Sequence, residues 1–161
     1  MKTINEKRLI MGAGLSSIPV KFQGVTNNIQ VGAHYVVMSG YAEITPFPAS
    51  AINDIPMQGQ YEERLWEANV VIGPVWREIM QVSPVVAPGN FFDYDNDDND
   101  SQGWQLDTGC SWEEVEVGAK KRIRLKFAMK QQGETSRFMG VVYHVSATGY
   151  VTDMESMSFL T

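Results

Sequence analysis

One cysteine, two histidines and no apolar run longer than a few residues set the first limits on this 161-residue chain. Cys110 has no second thiol with which to close an intramolecular disulfide, so the fold rests on its core and suits a reducing compartment. With no histidine near it in sequence, Cys110 is expected to be a small half-buried strand residue and not a catalytic thiol. A transition-metal site wants clustered histidine and cysteine, whereas His34, His144 and Cys110 fall on three different expected strands. The longest apolar runs, such as Val70-Val71-Ile72, fall far short of the roughly 20 residues of a membrane-spanning helix, so no membrane partner is expected. Near the N-terminus, Leu9 to Met11 is too short for the roughly 7 to 15 apolar residues of a signal-peptide core, so export through a cleaved signal is not expected.

Motifs that would specify a reaction are missing as well. The chain has no Gly-x-Ser-x-Gly elbow and no phosphate-cradling loop ending in Gly-Lys-Ser or Gly-Lys-Thr. Gly12-Ala13-Gly14-Leu15-Ser16-Ser17 lacks the third glycine of a dinucleotide fingerprint, and Pro19 stands where the phosphate-binding helix should form. No self-similar repeat is present. No catalytic, cofactor-binding or metal-binding residue is therefore assigned.

What is present suits one globular domain. Hydrophobic residues make up 43% and charged residues 20% of the chain, near globular averages, and halving its length would leave two marginal cores. The net charge of −6 comes from 19 acidic against 13 basic residues, but five of the acids lie between Asp93 and Asp100. Without those five the balance is 14 to 13, so the surface as a whole offers no field for a polyanion and nucleic acid is not an expected partner.

The patterning is that of strands. Ile123, Leu125, Phe127 and Met129 alternate with Arg122, Arg124 and Lys126, the period of two of a half-buried strand. Glu113 to Val117 alternates too, and a three-residue loop Gly118-Ala119-Lys120 would set Glu116 opposite Arg122, Val115 opposite Ile123 and Glu114 opposite Arg124. Arg137 to Ala147 carries apolar residues on both faces, with Met139, Val141, Tyr143, Val145 and Ala147 on one, which points to a central strand covered by a second sheet or another subunit. Ile123, Leu125, Phe127, Val141, Tyr143 and Val145 are the expected core. Earlier in the chain, Ile18 to Val25 and Ile29 to Met38 read as strands joined by a Thr26-Asn27-Asn28 turn. Pro46, Pro48 and Pro56 mark a long irregular loop, Gln60 to Ala68 is too short for its period to decide, and Val70 to Val82 reads as strand interrupted near Gly73-Pro74. The sum is an all-β, single-domain β-sandwich with long irregular loops, a barrel being the second choice.

Asp93-Tyr94-Asp95-Asn96-Asp97-Asp98-Asn99-Asp100 is the one sharp local signal. Asp93, Asp95 and Asp97 have the spacing of the first Ca²⁺ ligands of an EF-hand, but Asp98 stands where that loop needs glycine and Trp104 where it needs glutamate. A frame starting at Asn96, with Asp98, Asp100 and Asp107, fits somewhat better. The expected role is a solvent-facing, self-repelling loop. Phe91, Phe92, Tyr94 and Trp104 beside it leave a sugar-binding patch as an alternative.

Residues 1–17 are expected to form an N-terminal arm on a globular domain of residues 18–161, because two glycines interrupt a stretch too short to fold alone. Its apolar patch, Leu9, Ile10 and Met11, is the expected contact with another chain. The function expected on this basis is a non-enzymatic structural protein of a large homo-oligomeric assembly, most simply a phage virion component such as a capsid decoration, neck or tail protein. Its partners would be copies of itself and neighbouring assembly proteins, in the virion or the host cytoplasm. The alternative is a carbohydrate-binding β-sandwich module, with or without Ca²⁺.

Overall fold

The computed structural model describes residues 3–10, 17–46, 63–93, 103–132, 136–156 and 158–160. Among them there is no helix, and eight strands account for nearly everything: β1 (Thr3–Ile10), β2 (Ser17–Gly32), β3 (Tyr35–Pro46), β4 (Glu63–Asp93), β5 (Gly103–Val117), β6 (Lys120–Gln132), β7 (Ser136–Asp153) and β8 (Ser158–Leu160). All pair antiparallel in the order β1-β2-β3-β7-β4-β6-β5, with β8 on β4. The sheet ends at β1 and β5 and does not close into a barrel.

The long β4 makes this one sheet into a sandwich. Its residues 63–72 pair with β6, its residues 75–93 pair with β7, and the register breaks between Ile72 and Trp76, around Gly73-Pro74. The strand bends there, as register breaks allow. Alternate residues of both wings then meet in a single core: Phe22, Val36 and Met38 with Val141, Tyr143 and Val145 from one wing, and Val70, Ile72, Ile123, Leu125 and Phe127 from the other. Each such side chain taken fully from water stabilises the fold by about 1.5 to 3 kcal/mol. All six expected core residues are buried. Although β6 and β7 follow one another in sequence, they are not paired, since β4 lies between them.

Two sequence expectations are corrected and one undecided segment is assigned. Thr26-Asn27-Asn28 is not a turn: β2 runs straight through it, and the reversal comes at Ala33-His34. These polar residues find distant partners that let the ladder continue. Thr26 is buried and hydrogen-bonded to the Tyr143 hydroxyl, and Asn28 Nδ2 donates to the carbonyls of Met154 and Glu155, each at 3.5 Å. Residues 63–68, where no period decides, belong to β4.

The second correction is a register shift. The β5–β6 turn has two residues, Gly118 and Ala119, both with positive φ (57° and 60°), which is the geometry a tight hairpin requires. Glu113 therefore lies opposite Arg124, Glu114 opposite Ile123 and Val115 opposite Arg122. The expected acidic match to the basic stripe survives with different partners. Glu113 holds both Arg124 and Lys126, the latter at 2.9 Å, and Glu114 holds Lys121 at 2.7 Å. Arg122 is buried and reaches Glu155, in the segment after β7, at 2.7 Å.

Candidate functional site

The wing formed by β2, β3, β7 and the second half of β4 has an inner face in the core and an outer face in solvent. Its registers fix the outer face rung by rung. Val25, Tyr41, Val142 and Ala87 form one rung; Asn27, Ser39, His144 and Val85 the next; Ile29, Val37, Ser146 and Ser83 the third; Tyr35, Thr148 and Gln81 the fourth. None of these residues is Asp, Glu, Lys or Arg. Several are large and exposed, among them Ile29 (59%), Val85 (63%) and Val142 (47%). A strand side in water ordinarily alternates apolar-in with polar-out, so Val142 and Val85 depart from the pattern on a strand pair whose inner face is already full.

The opposite wing shows what a solvated face looks like in this chain. The outer side of β5 and β6 carries Glu113, Arg124 and Lys126 as a network. Hydrogen bonds from Lys126 and then Arg124 hold the Glu113 carboxyl below its ordinary range, and Lys120 and then Arg122 do the same for Glu155. The hydrogen bond to Glu114 raises the Lys121 ammonium. One sheet face is thus dressed in paired charge, whereas the four rungs above carry none; charge returns at their two ends, with Glu43 on the next rung opposite Gln23 and Gly140 and with Arg77 over Tyr150.

At the fourth rung the uncharged face dips into an open groove of about 290 Å³, lined by Tyr35, Gln81, Ser83, Ser146, Ala147 and Thr148. Its polar groups are hydroxyls and one amide. Beside it the rings of His34 and Tyr150 meet edge to face at 4.5 Å between centroids, and the Arg77 guanidinium lies 4.7 Å over the Tyr150 ring.

The residues singled out from sequence are not brought together. Cys110 is half-buried on β5, packed against the core, and burial pushes its thiol up to about 11, so it is a neutral thiol at physiological pH. His34 sits in the β2–β3 turn and His144 points outward from β7. Among the described residues no group of three His, Cys, Asp or Glu side chains gathers where a metal ion could be held. Of the acidic loop, only Asp93, the last residue of β4, is described; Tyr94 to Asp100 lie outside the described residues, as do Met11 and Asp107's side chain.

Residues 3–10, expected within an arm, form β1 and pair along their whole length with β2 of the same chain, Leu9 opposite Ile18 and Ile10 opposite Ser17. Because β1 ends the sheet order, its far edge carries the backbone groups that a further strand would use. The uncharged face itself was missed from sequence as a surface. Its signal was the apolar residue on both sides of the strand at 137–147. No family model matches the chain, and no curated protein is significantly similar to it.

Proposed function

We propose that this protein is a non-enzymatic structural subunit of a homo-oligomeric assembly, of the kind from which a phage virion is built. The observation that carries the proposal is the uncharged outer face of β2, β3, β7 and β4. Interface cores are depleted in charge and enriched in aromatic side chains, and the four central rungs of this face join Tyr35 and Tyr41 to Val25, Ile29, Val85 and Val142, with a carboxylate, that of Glu43, entering only on the next rung. In this proposal the edge at Leu9 and Ile10, with Met11 following, adds a strand contact to a neighbouring copy or another assembly protein. Light scattering on the purified full chain tests it. A native mass that is a multiple of 18.0 kDa supports the proposal. A monomer at every concentration contradicts it.

The groove supports a second reading, a carbohydrate-binding module. An exposed tyrosine ring offers a stacking surface, and Gln81, Ser83, Ser146 and Thr148 offer uncharged hydrogen-bonding groups to sugar hydroxyls. Under that reading the chain is a monomer, and titration with oligosaccharides, with and without Ca²⁺, perturbs Tyr35. Tyr35→Ala then removes the response.

A further inference from the structure

We infer that the self-association surface is the uncharged outer face of β2, β3, β7 and β4, packed face to face on the same face of a second copy. This rests on the proposed role as an assembly subunit and names the surface and its occupant.

The occupant follows from charge. A face that meets a different protein can use fixed charges to steer and select its partner. A face that meets itself across a two-fold axis brings each residue near its own counterpart or near others of the same patch. Any charge close to the axis would then oppose a like charge. The face has none over three full rungs and part of a fourth, with Glu43 and Arg77 only at the two ends, although 20% of the chain is charged and the outer β5–β6 face carries a paired network. Such a surface can be buried against its own copy without stranding an ion and without the desolvation cost of buried ion pairs.

Shape and size are compatible with the same occupant. Outside the groove the rungs are built from Val, Ser, Asn, Ala, Ile, His and Tyr, and the Tyr41 ring lies across Gly89 and Gly140. Sheet faces pack on one another about 10 Å apart, with strands turned by about 30°. Four strands about 4.8 Å apart and about seven residues long at about 3.4 Å per residue give a footprint of roughly 450 Å². Exposed apolar patches of about 300 to 600 Å² are often functional, and Val25, Ile29, Tyr41, Val85 and Val142 supply the apolar part of this footprint among uncharged polar residues. A standard interface takes about 800 Å² from each partner, so this pair contact is a weak one. Repetition over many copies makes weak contacts add.

Sedimentation equilibrium of the full chain, from micromolar to near-millimolar concentration, tests the inference with three variants. Val142→Lys and Val85→Lys each place a charge in a central rung, at positions exposed enough to accept lysine without unfolding the monomer. Glu116→Lys reverses a charge on exposed β5, away from the face, a larger electrostatic change than either face variant makes. Circular dichroism checks that all three keep the wild-type β signal. The inference expects the wild type to self-associate, both face variants to weaken association by about tenfold or more, and Glu116→Lys to leave it unchanged. Association untouched by both face variants overturns the assigned surface while the assembly reading stands. A wild type that stays monomeric throughout overturns the second copy as occupant together with that reading, and leaves the face to a different partner.

Discussion

Tyr143 reaches over Gly40 to hydrogen-bond Thr26, 117 residues away in sequence and two strands away in the sheet. The same hydroxyl lies 3.0 Å from the Val25 carbonyl and 3.4 Å from Ser158 Oγ. With its single proton donated to Val25, Tyr143 accepts from Thr26. A Cβ at position 40 would collide with the tyrosine, so glycine is what lets the ring cross β3. Tyr143→Phe leaves the Thr26 hydroxyl buried without this partner and is expected to cost about 1 to 3 kcal/mol. Adding Thr26→Val removes the orphan, so the double variant should lose less than the sum of the singles, by about 0.5 kcal/mol or more. Strict additivity in denaturant melts would mean the two hydroxyls are not coupled.

Arg122 is buried to 1% exposure, and Glu155, which also holds Lys120, is 42% exposed. Burying a guanidinium costs desolvation that one partner does not repay, so Arg122→Met, of similar length and apolar, should leave stability unchanged or raise it by about 1 to 4 kcal/mol. Glu155→Gln should destabilise, because it leaves the buried guanidinium without its carboxylate. Urea midpoints decide the order: Arg122→Met at or above wild type, Glu155→Gln below. The reverse order would show that the pair itself is a net stabiliser.

Glu113 and Glu155 both titrate lower in the folded chain than when unfolded, held down by Lys126 with Arg124 and by Lys120 with Arg122. A depressed carboxylate contributes stability that is present above its unfolded value of about 4.3 and is lost as pH falls through the folded one. Melting temperature should therefore fall below about pH 4.3, and Glu113→Gln should make the fall shallower while lowering the plateau above it. An acid limb of unchanged steepness in Glu113→Gln would remove Glu113 from this role.

The β strands were largely legible in sequence because their periods are local. Ile123, Leu125 and Phe127 alternate with Arg122, Arg124 and Lys126 whatever surrounds them. What was not legible depended on distant partners or on one dihedral. Thr26-Asn27-Asn28 has turn composition, and only Tyr143 and the carbonyls of Met154 and Glu155 make it a strand. The β5–β6 register turned on Ala119 accepting a positive φ, which alanine seldom does and which moved every opposing residue by one. The candidate face was half visible: Val142 opposite a buried Val141 and Tyr143 announced a strand needing cover on both sides. That four successive rungs of the outer face carry no charge emerged only when β2, β3, β7 and β4 were set in register.

Cys110 is the one thiol, and burial raises it to about 11. A group neutral when folded stabilises less as pH rises past its unfolded value of about 8.5, since the unfolded thiol ionises first. Reaction of the folded chain with an aromatic disulfide should thus remain slow at pH 8 and accelerate steeply only well above pH 9 or on adding denaturant. Full reaction within seconds at pH 7.5 would show an activated thiolate.

Small-angle X-ray scattering of the concentrated full chain reports directly how two copies meet. Stacking through the outer face of β2, β3, β7 and β4 predicts doubled scattering mass with a maximum dimension close to that of the monomer, because the second copy is added across the thin direction of the sandwich. Doubled mass with a nearly doubled maximum dimension, as strand addition at the β1 or β5 edge would give, contradicts the face-to-face contact.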